Sequence, residues 1–323
     1  MTNTANCYVP GRYAAIDIGT VTARLLIVDV QGNGSMTELH RDHAICNLGV
    51  GVDKTGRLAP AAIARVGEVV ERFMRTIDEL QPADGGSVIV TAKATSASRD
   101  AENAADFVAT LADLGVELSV IPGQKEAALS FAGATSAFPG EDVVVLDVGG
   151  GSSEIIAGHA GGEPRFSHSF NIGCRRVTER YFESDPPAPA DIEAAGTWIA
   201  AEMKDFLGKL VAGGFDGCRV IAVAGTATSI ISMRERMEVY DSARVHGAMA
   251  SRADVDALLG RLSAMSLAER ERVVGLDPGR APVIVAGVLI IQQIMQLLGA
   301  SSFTASERDI LHGIVLDSAR KLG

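Results

Sequence analysis

Cysteine is scarce in this chain. The four residues, at positions 7, 46, 174 and 218, form no C-x-x-C pair. That scatter offers neither a disulfide framework nor a structural zinc site, so reduced thiols are expected. The six histidines are equally dispersed and none is followed by aspartate. This removes the His-Asp dyad of metal-dependent phosphohydrolases, and H-E-x-x-H and G-x-S-x-G are missing too. The N-terminal "MTNTANCYVPGRY" has no basic segment leading into an apolar one, so no secretion signal is expected. Long apolar runs are also lacking. The best candidate, residues 283–291, is nine residues long before Gln292, Gln293 and Gln296 interrupt it. A membrane span needs about 20 residues, so this reads as a buried core helix or the face of a homodimer. Basic residues do not dominate either. A net charge of −11 disfavours nucleic-acid binding, although a local basic cleft can still take an anionic substrate.

What the chain does contain is a globular composition, 47% hydrophobic and 21% charged, on a length that suggests two lobes. Residues 13–18 and 23–30 read as strands around the tight turn "GTVT", and residues 36–46 as a third strand. Pro60 opens an amphipathic helix. Ile63, Val66, Val70, Phe73, Ile77 and Leu80 recur every three or four residues and form its core face. A strand at 87–92 delivers "KATSASRDAEN" as a loop, a helix covers 103–114, "GVELSVIP" is a strand, and Gly123 starts a helix. Strands near 143–148, 153–158 and 165–171 precede helices within 174–183 and 189–212. "CRVIAVAGTATSI" is a buried strand feeding a Gly-Thr loop and then a helix. Helices near 252–264 and 281–298, a strand in "SSFTAS" and a closing helix in "RDILHGIVLDSARKL" follow. Interleaved strands and helices define an α/β class, and hairpins make its sheets mixed.

One pattern occurs twice. In "AAIDIGTVTARLLIV" (14–28) and "VVVLDVGGGSSEII" (143–156), Asp17 matches Asp147, Gly19 matches Gly149 and Thr22 matches Ser152. Arg24 stands where Glu154 does. Each copy is a hydrophobic strand ending in a carboxylate, then a glycine-rich hairpin, then another strand. Glycine lets backbone N–H groups approach an anion without side-chain obstruction. Thr20, Thr22 and Ser152 add hydroxyl donors. A carboxylate ahead of such a loop repels phosphate unless it holds a cation or positions water, so Asp17 and Asp147 point to phosphate with Mg²⁺. A plain tight turn capped by aspartate is the other reading, and the repetition weighs against it. No P-loop motif occurs, and the glycines open a hairpin where a Rossmann fingerprint would open a helix.

The duplicated Asp-x-Gly hairpin resembles the phosphate-1 and phosphate-2 loops of the actin-like (ASKHA) superfamily of actin, sugar kinases and heat-shock chaperones. "AGTATS" (224–229) looks like the Gly-Thr loop of its second lobe. More narrowly, "LGVGVDKTGRL", "ATSASRDAEN", "IPGQKEAALSFAG", "LDVGGGSSEI", "NIGCRRVTERYF", "VAGTATSI" and "VHG" follow the order of the exopolyphosphatase and guanosine-pentaphosphate phosphatase (Ppx/GppA) family. The resemblance runs from about residue 13 to the last helix and matches the short two-domain form, without an appended HD-type domain. It implies two ribonuclease-H-like lobes with mixed sheets flanked by helices and an active site in the interdomain cleft. Their expected limits are 1–122 plus 304–323, and 123–303, with hinges near Pro122–Gly123 and Phe303.

The resemblance also implies roles. Glu126, in "GQKEAA", matches the glutamate that acts on the attacking water; dipole preference alone would also place an acid at that helix start. Asp147 and Glu154 match the acidic pair at the divalent ion and are the expected metal ligands. Gly149, Gly150, Gly151 and Ser152 would bind phosphate from one lobe, with Gly225 and Thr226 from the Gly-Thr loop. Asp17, Gly19, Thr20 and Thr22 would bind it from the other, with Arg24 in a basic position. Arg99, in "SASRDA", matches an arginine near the phosphate, where a guanidinium fork suits the ligand. Lys54, Arg57, Lys93, Lys125, Arg175, Arg176 and Arg180 could extend a basic path. Val21 replaces a usual asparagine, Lys125 a common acid and Ala128 a common arginine.

The implied activity is hydrolysis of the terminal phosphoanhydride of inorganic polyphosphate by Mg²⁺-assisted water attack. Mn²⁺ and a monovalent cation are further options. Three alternatives stay open: conversion of pppGpp to ppGpp, an ATP-dependent small-molecule kinase of the same superfamily, and a non-catalytic polyphosphate or alarmone sensor. A cytoplasmic homodimer, with no nucleic-acid or membrane partner, completes the expectation.

Overall fold

The computed structural model describes residues 8–83 and 85–320; Cys7 and residues 321–323 of the expected closing segment lie outside them. In the first sheet, β1 (Gly11–Ile18), β2 (Thr22–Val30), β3 (Met36–Ile45), β4 (Ile89–Ala94) and β5 (Leu118–Val120) lie in the order β3-β2-β1-β4-β5. The first three are antiparallel, and β4 and β5 run parallel to β1. The second sheet contains β6 (Asp142–Val148), β7 (Ser153–His159), β8 (Pro164–Phe170), β9 (Arg219–Val223), β10 (Met249–Ser251) and β11 (Ser302–Ala305). Its order is β10-β11-β9-β6-β7-β8. From β8 to β11 this repeats the first sheet strand for strand, with β10 added antiparallel at the far edge. Two mixed, helix-flanked sheets of this order are the ribonuclease-H-like, actin-type arrangement expected.

Two compact units result. One reaches Gly133 and resumes at Ile310, and the other covers Ala134–Asp309. The limits differ from those expected, for packing reasons. Leu129 of the Gly123–Thr135 helix shares a buried cluster with Tyr13, Ala15, Leu26 and Val28 of the first sheet. That cluster also holds Ile310, Leu311 and Ile314 of the closing helix, Ile310–Ala319. Phe303 sits in β11, which pairs with β9, so it belongs to the second unit.

In the first unit, strand alternation gives each face its own core. Ala14, Ile16 and Ile18 pack with Val66, Val70, Phe73 and Phe107 of helices Pro60–Glu79 and Ala104–Ala112. Tyr13 and Ala15 turn to the closing helix. Leu80, expected on the core face, is half-buried as the C-cap. In the second unit, Val144, Leu146, Val148 and Ile155 pack against Pro189–Leu210 and Ile284–Leu297. Nine residues of the latter helix are buried in this core, so the apolar run of residues 283–291 is internal packing and no dimer face. Among the described residues no helix is long and apolar enough to cross a membrane.

Two local expectations change. "SASRD", read as loop, is a helical turn, Ser96–Asp100. The expected Gly-Thr loop is a helix, Ala224–Arg234, which starts directly after β9 at an alanine with φ +63°. The short β10 and the turns Val52–Thr55 and Ser242–Val245 are too brief for periodicity to mark.

The helix that carries Glu126 is fixed by one close approach. A Cβ on Gly313 would stand 1.9 Å from the Leu129 carbonyl oxygen. Gly313→Ala is therefore expected to force the two helices apart and cost about 2 kcal/mol or more, read as a lowered melting temperature.

Candidate functional site

The two hairpins are built alike. Each closes with one bond, Gly19 N–H to the Thr22 carbonyl at 2.9 Å and Gly149 N–H to that of Ser152 at 3.0 Å. The tip carbonyls are then held from behind. In the first unit Cys46 and Asn47 donate to Val21 O at 2.9 and 2.8 Å, and Gly49 donates to Thr20 O at 2.9 Å. In the second, Cys174 donates to Gly149 O at 2.9 Å, and Arg175 and Arg176 donate to Gly150 O at 2.8 and 3.2 Å. The Arg176 guanidinium adds a 3.0 Å bond to Gly151 O. Such proximity needs glycine behind the loop: a Cβ on Gly173 would lie 2.4 Å from Gly150 O. Burial pushes the neighbouring Cys174 thiol up, which keeps it protonated.

With their carbonyls bound, the hairpins keep their N–H groups for something else. Among the described residues the N–H groups of Gly150 and Gly151 donate to nothing. Successive N–H groups of this kind form an anion-binding concavity. In the first unit, Thr20 Oγ1, Ser96 Oγ and Ser98 Oγ are buried with no hydrogen-bond partner among the described residues. Buried hydroxyls normally have one.

At the hairpin roots the units part company. The β1–β2 register sets Asp17 opposite Arg24, whose Nη2 and Nε donate to Asp17 Oδ2 at 2.6 and 3.1 Å. The β6–β7 register sets Asp147 opposite Glu154, at 7% and 1% exposure. Like charges placed directly opposite are destabilising, and more so when desolvated. The donor set fits Mg²⁺. Two carboxylates are no complete cage, and no group of three or more metal-binding side chains occurs among the described residues. Mg²⁺ characteristically takes one or two carboxylates and fills its shell with water and phosphate oxygens. Glu154 is also held by Ser169, its partner on β8, whose Oγ donates to Oε1 at 2.6 Å.

Glu126 lies in the first turn of its helix, 7% exposed. Arg99 Nη1 donates to its Oε2 at 3.0 Å and to the Ile121 carbonyl at 3.2 Å. The structure thus pairs the expected water-activating carboxylate with the expected phosphate-binding arginine.

Comparison with known proteins fits this geometry. Residues 26–322 match the Ppx/GppA phosphatase family. The chain is 36% identical to Exopolyphosphatase 2 of Mycobacterium tuberculosis over 95% of its own length and 98% of that protein. The crystal structure of an exopolyphosphatase-like protein superposes with a TM-score of 0.87 at 34% identity, covering 96% of this chain and 98% of that one. The Ppx/GppA enzyme of Aquifex aeolicus gives 0.77 at 25% identity, covering 95% and 99%. The chain belongs to the Ppx/GppA phosphatase family. Its enzymatic class is that of a phosphoanhydride hydrolase.

Within the first unit of this Ppx/GppA chain the structure groups Asp17 with Arg24 and Arg99 with Glu126; Gly19, Thr20 and Thr22 form the hairpin. Asp17, expected at the phosphate, accepts from Arg24 through its Oδ2. Within the second unit Asp147 and Glu154 share a cross-strand position, and Gly149, Gly150, Gly151 and Ser152 form the other hairpin. Gly225 lies under the Arg280 guanidinium. Thr226 Oγ1 sits 3.4 Å from the Val148 carbonyl, which ties this helix start to the hairpin root.

The departures from the family pattern have structural settings. Val21 is buried, and Lys125 is drawn to Asp317 on the closing helix at 2.7 Å. Several expected path residues have acidic or aromatic neighbours: Arg57 with Glu102, Arg175 with Glu179, and Arg180 over Trp198. Ser169, Ser96, Gly173 and Arg280 were not singled out in the sequence. Period-two alternation in "SHSF" could have placed Ser169 on the Glu154 face; nothing local marked the rest.

Arg24→Leu is expected to destabilise the protein by about 3 kcal/mol, because it leaves Asp17 buried without its counter-charge. Adding Asp17→Asn should recover most of that loss in denaturant melts.

Proposed function

We propose that the protein is an exopolyphosphatase that releases orthophosphate from the end of inorganic polyphosphate. The observation that carries this is the buried Asp147–Glu154 pair at the root of a hairpin with undirected N–H groups. It is an arrangement for a divalent cation beside a phosphate. Relatives named exopolyphosphatase support the substrate.

In this reading the N–H groups of Gly150 and Gly151 and the hydroxyl of Ser152 bind phosphate oxygens. Thr20, Ser96 and Arg99 supply donors in the other unit. Asp147 and Glu154 hold Mg²⁺, which when bound offsets phosphate charge and orients water. A phosphate arriving at Arg99 competes with Glu126 for the guanidinium and releases the carboxylate to act as base. The water oxygen attacks the terminal phosphorus, its proton passes to Glu126, the bridging P–O bond breaks, and the bridging oxygen leaves with the shortened chain. Hydrolysis of pppGpp to ppGpp would use the same groups, and substrate ranking separates the two.

Phosphate release should be assayed on short and long polyphosphate, pppGpp and ATP, with Glu126→Gln as control. Polyphosphate should be hydrolysed most efficiently, and Glu126→Gln should lose about a thousandfold in rate while keeping its melting temperature. A preference for pppGpp would move the substrate assignment to the alarmone. Unchanged rates in Glu126→Gln would remove the proposed base. Adding Mg²⁺ to EDTA-treated protein should raise its melting temperature, as selective binding to the folded state does. Glu154→Gln should abolish that rise.

A further inference from the structure

Glu154 has a neighbour that the proposed chemistry does not use. β7 runs between β6 and β8, and the two registers place Asp147, Glu154 and Ser169 in one cross-strand row. Ser169 stands on the side of Glu154 away from Asp147, and its Oγ donates to Glu154 Oε1 at 2.6 Å. That length is typical of a hydroxyl bonded to an ionised carboxylate. Both residues sit on regular strands, so the bond is rigid, while the neighbouring Ser153 Oγ fastens β7 to the Ile172 carbonyl.

We propose that Ser169 is a positioning residue for the cation site. By engaging Oε1 it holds the Glu154 carboxylate in one orientation, so that Glu154 reaches a divalent cation through its other oxygen. This rests on the reading of Asp147 and Glu154 as cation ligands. Removing the bond would take away one restraint on the carboxylate, and part of the binding free energy would then go into ordering it. Ligating carboxylates are commonly oriented by such outer hydrogen bonds, and losing one weakens metal binding by roughly ten- to a hundredfold.

The test is Mn²⁺ titration of substrate-free protein by electron paramagnetic resonance, on wild type, Ser169→Ala, Ser169→Thr and Glu154→Gln. Ser169→Ala is expected to weaken Mn²⁺ about tenfold with an unchanged melting temperature, and Ser169→Thr, which keeps the hydroxyl, to stay near wild type. In phosphate release, Ser169→Ala should raise the Mg²⁺ concentration for half-activity while leaving kcat at saturating Mg²⁺ within a few-fold. Wild-type Mn²⁺ affinity in Ser169→Ala, with binding lost in Glu154→Gln, would overturn the role of Ser169 alone. Unchanged Mn²⁺ binding in Glu154→Gln, or no measurable binding in wild type, would overturn the cation-site reading and this role with it.

Discussion

A hairpin can offer its N–H groups to an anion only if its carbonyl oxygens are turned away and held there. That constraint organises both halves of this molecule. At each tip, a segment returning from the third strand donates to the carbonyls from behind, residues 46–49 in one unit and 174–176 in the other. The return requires three consecutive antiparallel strands, so that the chain re-crosses the hairpin it has just made. β4 and β5 in one sheet, and β9 and β11 in the other, then add in parallel on the other side of the first strand, with helices in the connections. The strand order shared by the two sheets is therefore the scaffold that this one hydrogen-bond arrangement demands.

On a duplicated scaffold, the cross-strand position at the hairpin root is where the chemistry diverges. Asp17 faces Arg24 and their charges cancel within the fold. Asp147 faces Glu154 and theirs add. The first pair is a salt bridge between strands; the second sets two carboxylates at one cross-strand position, the arrangement that the proposed function assigns to a divalent cation. A single residue type at equivalent places thus separates an acid–base pair from a pair of acids. The Arg99–Glu126 pair likewise sets a basic group against a carboxylate within the first unit.

Most of the fold was legible because its signals are local. Period-two strands, the 3.6-residue face of Pro60–Glu79 and the Asp-x-Gly hairpins depend on neighbours a few residues apart. The unit limits were not legible. Leu129 meets Gly313 across more than half the chain, and no local pattern reports that contact. The Gly-Thr segment was misread as a loop because glycine and threonine suggest a turn, while the helix start there is set by packing of Thr226 and Arg280.

The same division holds at the site. By itself the sequence determined which residues are present twice, where carboxylate, glycine and hydroxyl fall along each strand, and that Arg24 and Glu154 occupy equivalent places. Tertiary structure alone decided that Asp17 is neutralised by Arg24, that Glu126 rests on Arg99, that Lys125 is drawn to Asp317, and that Ser169 holds Glu154. The physical reason is range. Identity and periodicity are written along the chain, but a charge takes its meaning from what stands opposite it. In a folded sheet that partner comes from another strand or a distant helix.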